Sequence, residues 1–264
     1  MATGHTSLGR LDGKIALVTG ASSGIGAGTA ILFAKLGARL AITGRNVDNL
    51  RKTALECQRH GQEKPLEVVA DLVKEDNVKR VVEETLKHFG KLDILVNSAG
   101  IVAVGGIETT SLQQYDNVMD INTRSMYHVT MLCVPHLIET KGSIVNVSSV
   151  NGIRSFSNVL AYCMSKSAVD QMTRCTALDL AGKQVRVNSV NPGVIVTEIH
   201  KRGGMNEEQY QQFLERTKTT HALGRPGQVD EVAKMIAFLA SDDASFITGV
   251  SIPIDGGRHA MCPR

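Results

Sequence analysis

Short apolar runs alternate with stretches of helical period along the whole chain, and this alternation constrains its fold more than any other feature. The runs at 14–19, 39–43, 67–70, 94–97, 143–147, 186–191 and 250–254 read as continuous rather than alternating in and out. Strands buried on both faces have that pattern, and they belong to parallel sheets. Between them, 26–36, 77–89, 162–180 and 228–240 place apolar residues at helical spacing. The second of these carries Val78, Val81, Val82 and Leu86 and stops at Gly90, a residue suited to the left-handed turn that ends a helix.

Parallel strands joined through helices need right-handed crossovers, which put helices on both faces of a sheet. The predicted fold class is therefore α/β: a doubly wound parallel sheet of the Rossmann type, in a single domain spanning 1–264. No linker or repeat divides the chain. The one long irregular stretch, 193–226, is expected to act as a helical substrate lid over about 194–226, because a loop of that length in a compact domain usually covers a site.

Composition removes several other classes. With 42% hydrophobic and 21% charged residues the chain is not a disordered one. No apolar run reaches the roughly 18 residues of a membrane span. Lys and Arg total 29 against 26 Asp and Glu, a net of +3 that marks neither a nucleic-acid nor a membrane surface. Aromatic residues are 4% with no Trp, which disfavours a base-stacking platform. The five cysteines (Cys57, Cys133, Cys163, Cys175, Cys262) are scattered without a C-x-x-C pair and read as buried free thiols in a reducing compartment. Residues 1–11 lack the apolar core of a signal peptide, so the expected location is cytoplasmic.

The first apolar run leads straight into Thr19-Gly20-Ala21-Ser22-Ser23-Gly24-Ile25-Gly26 and then a helix. Glycines there permit a tight turn and close approach of backbone to a pyrophosphate, which the helix N-terminus receives. The spacing is T-G-x-x-x-G-x-G rather than G-x-G-x-x-G. Further on, Tyr162-Cys163-Met164-Ser165-Lys166 sets a phenol and an ammonium on one helix face. A phenol has a pKa near 10, and a fixed cation lowers it. Ser149 lies thirteen residues before Tyr162, just past 143–147, where a hydroxyl can hold a carbonyl oxygen while the phenol moves a proton.

Together the glycine turn, Ser149, Tyr162 and Lys166 resemble the short-chain dehydrogenase/reductase family. Further matches follow in family order over residues 10–258. Asn97-Ser98-Ala99-Gly100 resembles the N-N-A-G element, with Ser98 replacing the second Asn. Asn191-Pro192-Gly193-Val194-Ile195-Val196-Thr197 is similar to the P-G-x-I-x-T stretch, and Ile254-Asp255-Gly256-Gly257 to the C-terminal motif.

The resemblance implies an oxidoreductase that passes a hydride between NADP(H) and a ketone or secondary alcohol. In that reading Tyr162 is the acid and base, Ser149 polarises the carbonyl, Lys166 lowers the Tyr162 pKa and binds ribose hydroxyls, and Asn122 holds a water of the proton relay. Gly20, Ser22, Ser23, Gly24, Ile25 and Gly26 would meet the phosphates, and Asp71 the adenine. Asn97, Ala99 and Gly100 would line the dinucleotide, and Pro192, Gly193, Ile195 and Thr197 the nicotinamide amide. No metal is implied: His60, His88 and His128 lie on separate helices without ligand spacing. Two alternatives stay open: an NAD-dependent secondary alcohol or hydroxysteroid dehydrogenase, and a non-catalytic protein that senses the dinucleotide.

The residues after 39–43 favour NADP(H). Gly44 stands where NAD-specific members carry a carboxylate, and Arg45 offers a guanidinium to a 2′-phosphate. Asp48 reads as serving the next helix N-terminus. The substrate wall is expected from Val102, Val104, Val150, Ile153, Phe156, Val159, His200, Met205, Tyr210 and Phe213, a mostly apolar set. Arg154 and Lys201-Arg202 read as solvated charge or as receivers of an anionic substrate tail. A homotetramer is expected through helices about 112–136 and 162–180, where Met126, Val129, Leu132, Val169, Met172 and Ala177 offer apolar surface.

Overall fold

The computed structural model describes residues 9–61 and 63–262, so residues 1–8 of the polar opening segment lie outside it. In chain order the elements are β1 (Ile15–Val18), α1 (Gly24–Lys35), β2 (Arg39–Gly44), α2 (Val47–His60), β3 (Leu66–Val69), α3 (Glu75–Phe89) and β4 (Ile94–Asn97). Then come α4 (Leu112–Met119), a π-helical turn (Asp120–Arg124), α5 (Ser125–Thr140), β5 (Ser143–Val147), α6 (Val150–Ile153), α7 (Leu160–Ala181) and β6 (Arg186–Pro192). The chain closes with α8 (Ile199–Arg202), α9 (Glu207–Thr220), α10 (Val229–Ala240) and β7 (Ser251–Ile254). All seven strands run parallel in the order β3-β2-β1-β4-β5-β6-β7, the doubly wound arrangement expected from the sequence.

Strand alternation divides the core into two layers. Ala16, Val18, Ile42 and Val96 face α1, α2 and α10, where Phe33, Leu50 and Ile236 complete the packing. Ile15, Leu17, Leu95 and Ile144 face α3, α5 and α7, with Val81, Leu137 and Leu180. Each large side chain so buried contributes roughly 1.5–3 kcal/mol. β1, β4 and β5 are buried at every position. The edges are not: β3 and β7 are only partly covered, and Val69 is exposed.

The stretch 193–226, expected as a helical lid, contains two helices, α8 and α9, and two other sequence expectations need correction. α9 opens on a capping box in which Asn206 Oδ1 accepts from Gln209 N and Gln209 Oε1 from Asn206 N, both at 2.9 Å. The apolar surface assigned to subunit contacts is largely internal, since Met126, Val129, Val169 and Ala177 are buried in the chain's own core. Apolar residues that do face outward on these helices are Leu112 of α4, Tyr127 and Met131 of α5, and Met164 and Leu178 of α7. Of the cysteines only Cys57 and Cys133 are buried, and burial pushes both thiols up to about 12; Cys175 and Cys262 are exposed. Among the described residues no helix is long and apolar enough to cross a membrane, and no cluster of side chains is arranged to hold a metal.

Candidate active site

The strand order reverses between β1 and β4, and the crevice at such a switch point is where doubly wound sheets bind ligands. Thr19 ties the two loops there: its Oγ1 accepts from Ser98 N at 3.0 Å and Ala99 N at 3.2 Å. Gly20 and Gly26 make the turn this tight. A Cβ on Gly20 would come 2.7 Å from Ala99 N, and one on Gly26 would come 2.4 Å from Gly20 O. Neither contact is sterically tolerable. Ser23, the N-cap of α1, makes no side-chain capping bond, so the first-turn N–H groups of α1 keep their capacity for an anion. This turn fits a dinucleotide pyrophosphate.

A cavity of about 870 Å³ runs from that turn across the carboxyl ends of the strands. It is lined by Gly20, Ser22, Ser23, Gly24, Ile25, Arg45, Asp71, Ala99, Gly100, Ser149, Tyr162, Lys166, Pro192, Gly193, Ile195 and Thr197, all singled out from the sequence. Three of the selected residues do not line it. Gly26 packs α1 onto the turn beneath. Asn97 is buried and donates from Nδ2 to Thr130 Oγ1 and Asn146 Oδ1, each at 3.0 Å, which ties β4 to α5 and β5.

Asn122 is the third. It sits in the π-helical turn, a geometry frequent at functional sites. Its Oδ1 accepts from Ile101 N at 2.8 Å, and its Nδ2 donates to Ile101 O at 2.9 Å and Ser165 Oγ at 3.0 Å. The side-chain amide therefore braces the chain after β4 against α7, with both its hydrogens taken by these partners.

Ser149 follows β5 and caps α6. Its Oγ accepts from Asn151 N and donates to Asn151 Oδ1, both at 3.2 Å. Tyr162 and Lys166 occupy successive turns of α7. Lys166 is buried, its Nζ donates to Val147 O at 2.9 Å, and it lies 5.7 Å from the Tyr162 ring centroid. Burial brings the Lys166 pKa down to about 8, against the pull of Asp170. The expected lowering of the Tyr162 phenol by Lys166 does not occur in the chain alone. Burial pushes it up to about 12, the Ser149 hydrogen bond draws it down, and Cys163 raises it further. Low dielectric around the phenol dominates, and the group that opposes it is the Ser149 hydroxyl rather than the Lys166 ammonium.

Behind these groups lies a buried carboxylate the sequence did not flag. Asp170 accepts from Asn191 Nδ2 at 2.9 Å, and the same nitrogen donates to Ser149 O at 2.9 Å. Asn151, which lines the cavity and holds the Ser149 hydroxyl, was likewise missed. At the adenosine end Gly44, Arg45, Asn46 and Asn49 line the cavity, while Asp48 lies in the first turn of α2, as expected. At the substrate end Val102, Val104, Phe156, Val159, His200, Met205 and Phe213 line it. Val150, Ile153 and Tyr210 do not; the Tyr210 hydroxyl donates to Thr197 O at 2.9 Å. Of the three cations noted there only Arg202 lines the cavity, donating to Ser23 Oγ at 2.7 Å.

A parallel doubly wound sheet with a phosphate-fitting turn at its switch point defines a dinucleotide-binding fold. A family model described as Enoyl-(Acyl carrier protein) reductase matches residues 20–259. The chain is 40% identical over 252 residues to the 3-oxoacyl-[acyl-carrier-protein] reductase FabG of Thermotoga maritima, covering 94% of this chain and 98% of that one. It is 35% identical to meso-2,3-butanediol dehydrogenase of Serratia marcescens, covering 95% and 96%. Among solved structures, levodione reductase superposes with a TM-score of 0.91 at 30% identity, covering 96% and 100%. A short-chain dehydrogenase/reductase from Caenorhabditis elegans, solved with cofactor, gives 0.89 at 37%, covering 95% and 97%. The chain belongs to the short-chain dehydrogenase/reductase family. It is an oxidoreductase acting on CH–OH and C=O groups, in a family that uses a nicotinamide dinucleotide.

Proposed function

We propose that the chain interconverts a ketone and a secondary alcohol with NADP(H), with Tyr162 as the acid and base. One observation carries this reading: Ser149 just past β5 and the α7 pair Tyr162 and Lys166 line the same cavity as the glycine turn. The bound nicotinamide dinucleotide would supply or accept the hydride. The Ser149 hydroxyl turns its one hydrogen from Asn151 Oδ1 to the substrate oxygen while still accepting from Asn151 N. The Tyr162 phenol, protonated at neutral pH, gives its proton to that oxygen as negative charge gathers there, and regains one from it in the reverse direction. Lys166, anchored on Val147 O, stabilises the phenolate as it forms and keeps two N–H donors for ribose hydroxyls. Asn122 holds Ile101 and so the wall of the site.

Arg45 serves as the partner of a 2′-phosphate, α8 and α9 serve as a lid over one domain, and the outward apolar residues of α5 and α7 build a homotetramer. Five cysteines without a C-x-x-C pair fit a cytoplasmic setting.

Tyr162→Phe tests the reading. Turnover of a reactive diketone with NADPH should fall about a hundredfold or more, the usual size of an acid/base contribution, with dinucleotide affinity retained by calorimetry. A variant keeping above about a tenth of the activity would reject Tyr162 as the proton donor. A wild-type chain that binds NADPH and turns over nothing across a broad ketone panel would instead be a sensor.

A further inference from the structure

Two guanidinium groups at the substrate end were not selected from the sequence. Arg216 extends from α9 and Arg258 from the short turn after β7, and both line the cavity that holds Ser149 and Tyr162. Arg258 is half-buried, with its guanidinium carbon 4.4 Å from the Phe156 ring centroid, a contact that steadies its plane. Among the described residues neither arginine forms an ion pair. Neighbouring cations are engaged elsewhere: Lys201 with Glu207 at 2.8 Å and Glu198 at 3.6 Å, Arg154 with His259 O at 2.6 Å. Asp255, the carboxylate nearest in sequence to Arg258, is taken by Gly257 N, His259 N and the His259 ring. Of the lining residues only Asp71 is acidic, and it follows β3 at the adenosine end.

A solvated arginine such as Arg216 is ordinary; a half-buried Arg258 that shares a cavity with it and feels its charge is not. Burial and then the Arg216 charge hold Arg258 below its usual pKa, with Asp255 opposing. Burial and then Arg258 bring His200, which meets the Phe213 ring at a tilt, down to about 4, so it adds no charge at neutral pH. Positive charge desolvated without a counter-ion costs free energy that an arriving oxyanion restores.

We propose that Arg258 and Arg216 form an oxyanion subsite, and that the carbonyl substrate carries a carboxylate or phosphate on the arm directed toward α9. This names the substrate class of the reaction proposed above and rests on that reading.

The test compares matched pairs with NADPH. Levulinate and longer oxo acids are set against their methyl esters, and dihydroxyacetone phosphate against dihydroxyacetone, so that the two arms separate carboxylate from phosphate. In at least one arm kcat/KM should favour the anion by about tenfold or more, equivalent to ~1.4 kcal/mol. In that arm Arg258→Gln and Arg216→Gln should each reduce the preference severalfold, Arg258→Lys should restore part of it, and added salt should shrink it. A neutral partner as good as the anion in both arms overturns the subsite. So does an Arg258→Gln variant that lowers both members of a pair alike. Calorimetry of levulinate and dihydroxyacetone phosphate on NADP-loaded Tyr162→Phe protein supplies a readout free of turnover. Arg258-dependent binding there, with no turnover by the wild type, would sink the proposed reaction and keep the subsite. Absence of anion binding there and of any anion preference in turnover rejects the subsite alone.

Discussion

A Cβ on Gly44 would stand 2.2 Å from Oγ of Ser22 and 3.3 Å from its backbone nitrogen. The end of β2 and the glycine turn are thus packed against each other at the place where a carboxylate would have to enter for NAD recognition. Ser22 can rotate its hydroxyl away, but its own Cβ, 3.1 Å from that point, stays in place.

The coenzyme prediction follows from this contact. Gly44→Asp alone should weaken both dinucleotides, because the new side chain displaces Ser22. Gly44→Asp combined with Ser22→Gly should raise the NADH:NADPH ratio of kcat/KM about tenfold or more (~1.4 kcal/mol). Arg45→Ala should cost NADPH about tenfold, the scale of a charge-assisted hydrogen bond, and NADH little. A wild type that uses NADH as well as NADPH would return Arg45 to the solvent.

Arg202 joins α8 to the glycine turn through Ser23 Oγ. The bond is exposed, so a contribution of about 0.5–1.5 kcal/mol is the expected scale. Arg202→Ala should therefore raise the NADPH dissociation constant a few-fold and speed hydrogen exchange across α8 and α9. Exchange identical to the wild type would mean the latch does not hold in solution.

The central strands and the glycine turn were legible because strands buried on both faces are apolar without interruption and a phosphate-fitting turn has few alternatives. The edge strand β3 was less so, since Val69 faces solvent at the sheet margin. Within the expected helical lid the bounds of α9 were not legible, because it buries only Tyr210 and Thr217, too few for a helical period to stand out; the Asn206 and Gln209 capping pair was its one readable signal. The π-turn at Asn122 depends on packing against Ser165 of α7, a contact that no local pattern encodes. Arg216 and Arg258 come together only through the fold, as do Asp170, Asn191 and Ser149.

Assembly gives a further test. Tyr127, Met131, Met164 and Leu178 are 58%, 48%, 44% and 80% exposed, so these faces of α5 and α7 carry apolar area the chain itself leaves uncovered. Light scattering should give about four times the 28.4 kDa of one chain. Met131→Glu with Leu178→Glu should shift the mass downward without changing the circular dichroism. A wild-type mass of one chain in dilute neutral buffer would refute the tetramer.

Lys166 carries a pH signature that distinguishes a buried ammonium from a solvated one. In the unfolded chain it keeps its proton up to about 10.5, whereas in the folded chain burial lets the proton go at about 8. Between those values the unfolded state binds more protons, so raising the pH through this window stabilises the folded state, and lowering it through about 8 removes that gain. Tyrosines begin to ionise near pH 10, which sets a practical upper limit. Urea midpoints of the wild type relative to Lys166→Met should therefore move in favour of the wild type as pH rises from about 8 toward about 10. The Met variant removes the titrating group but keeps the length of the stem, so the comparison isolates the proton. A wild-type-minus-variant difference that stays flat across the window would mean the Lys166 ammonium is hydrated in solution, and would remove the low-dielectric setting on which its partnership with the Tyr162 phenol depends.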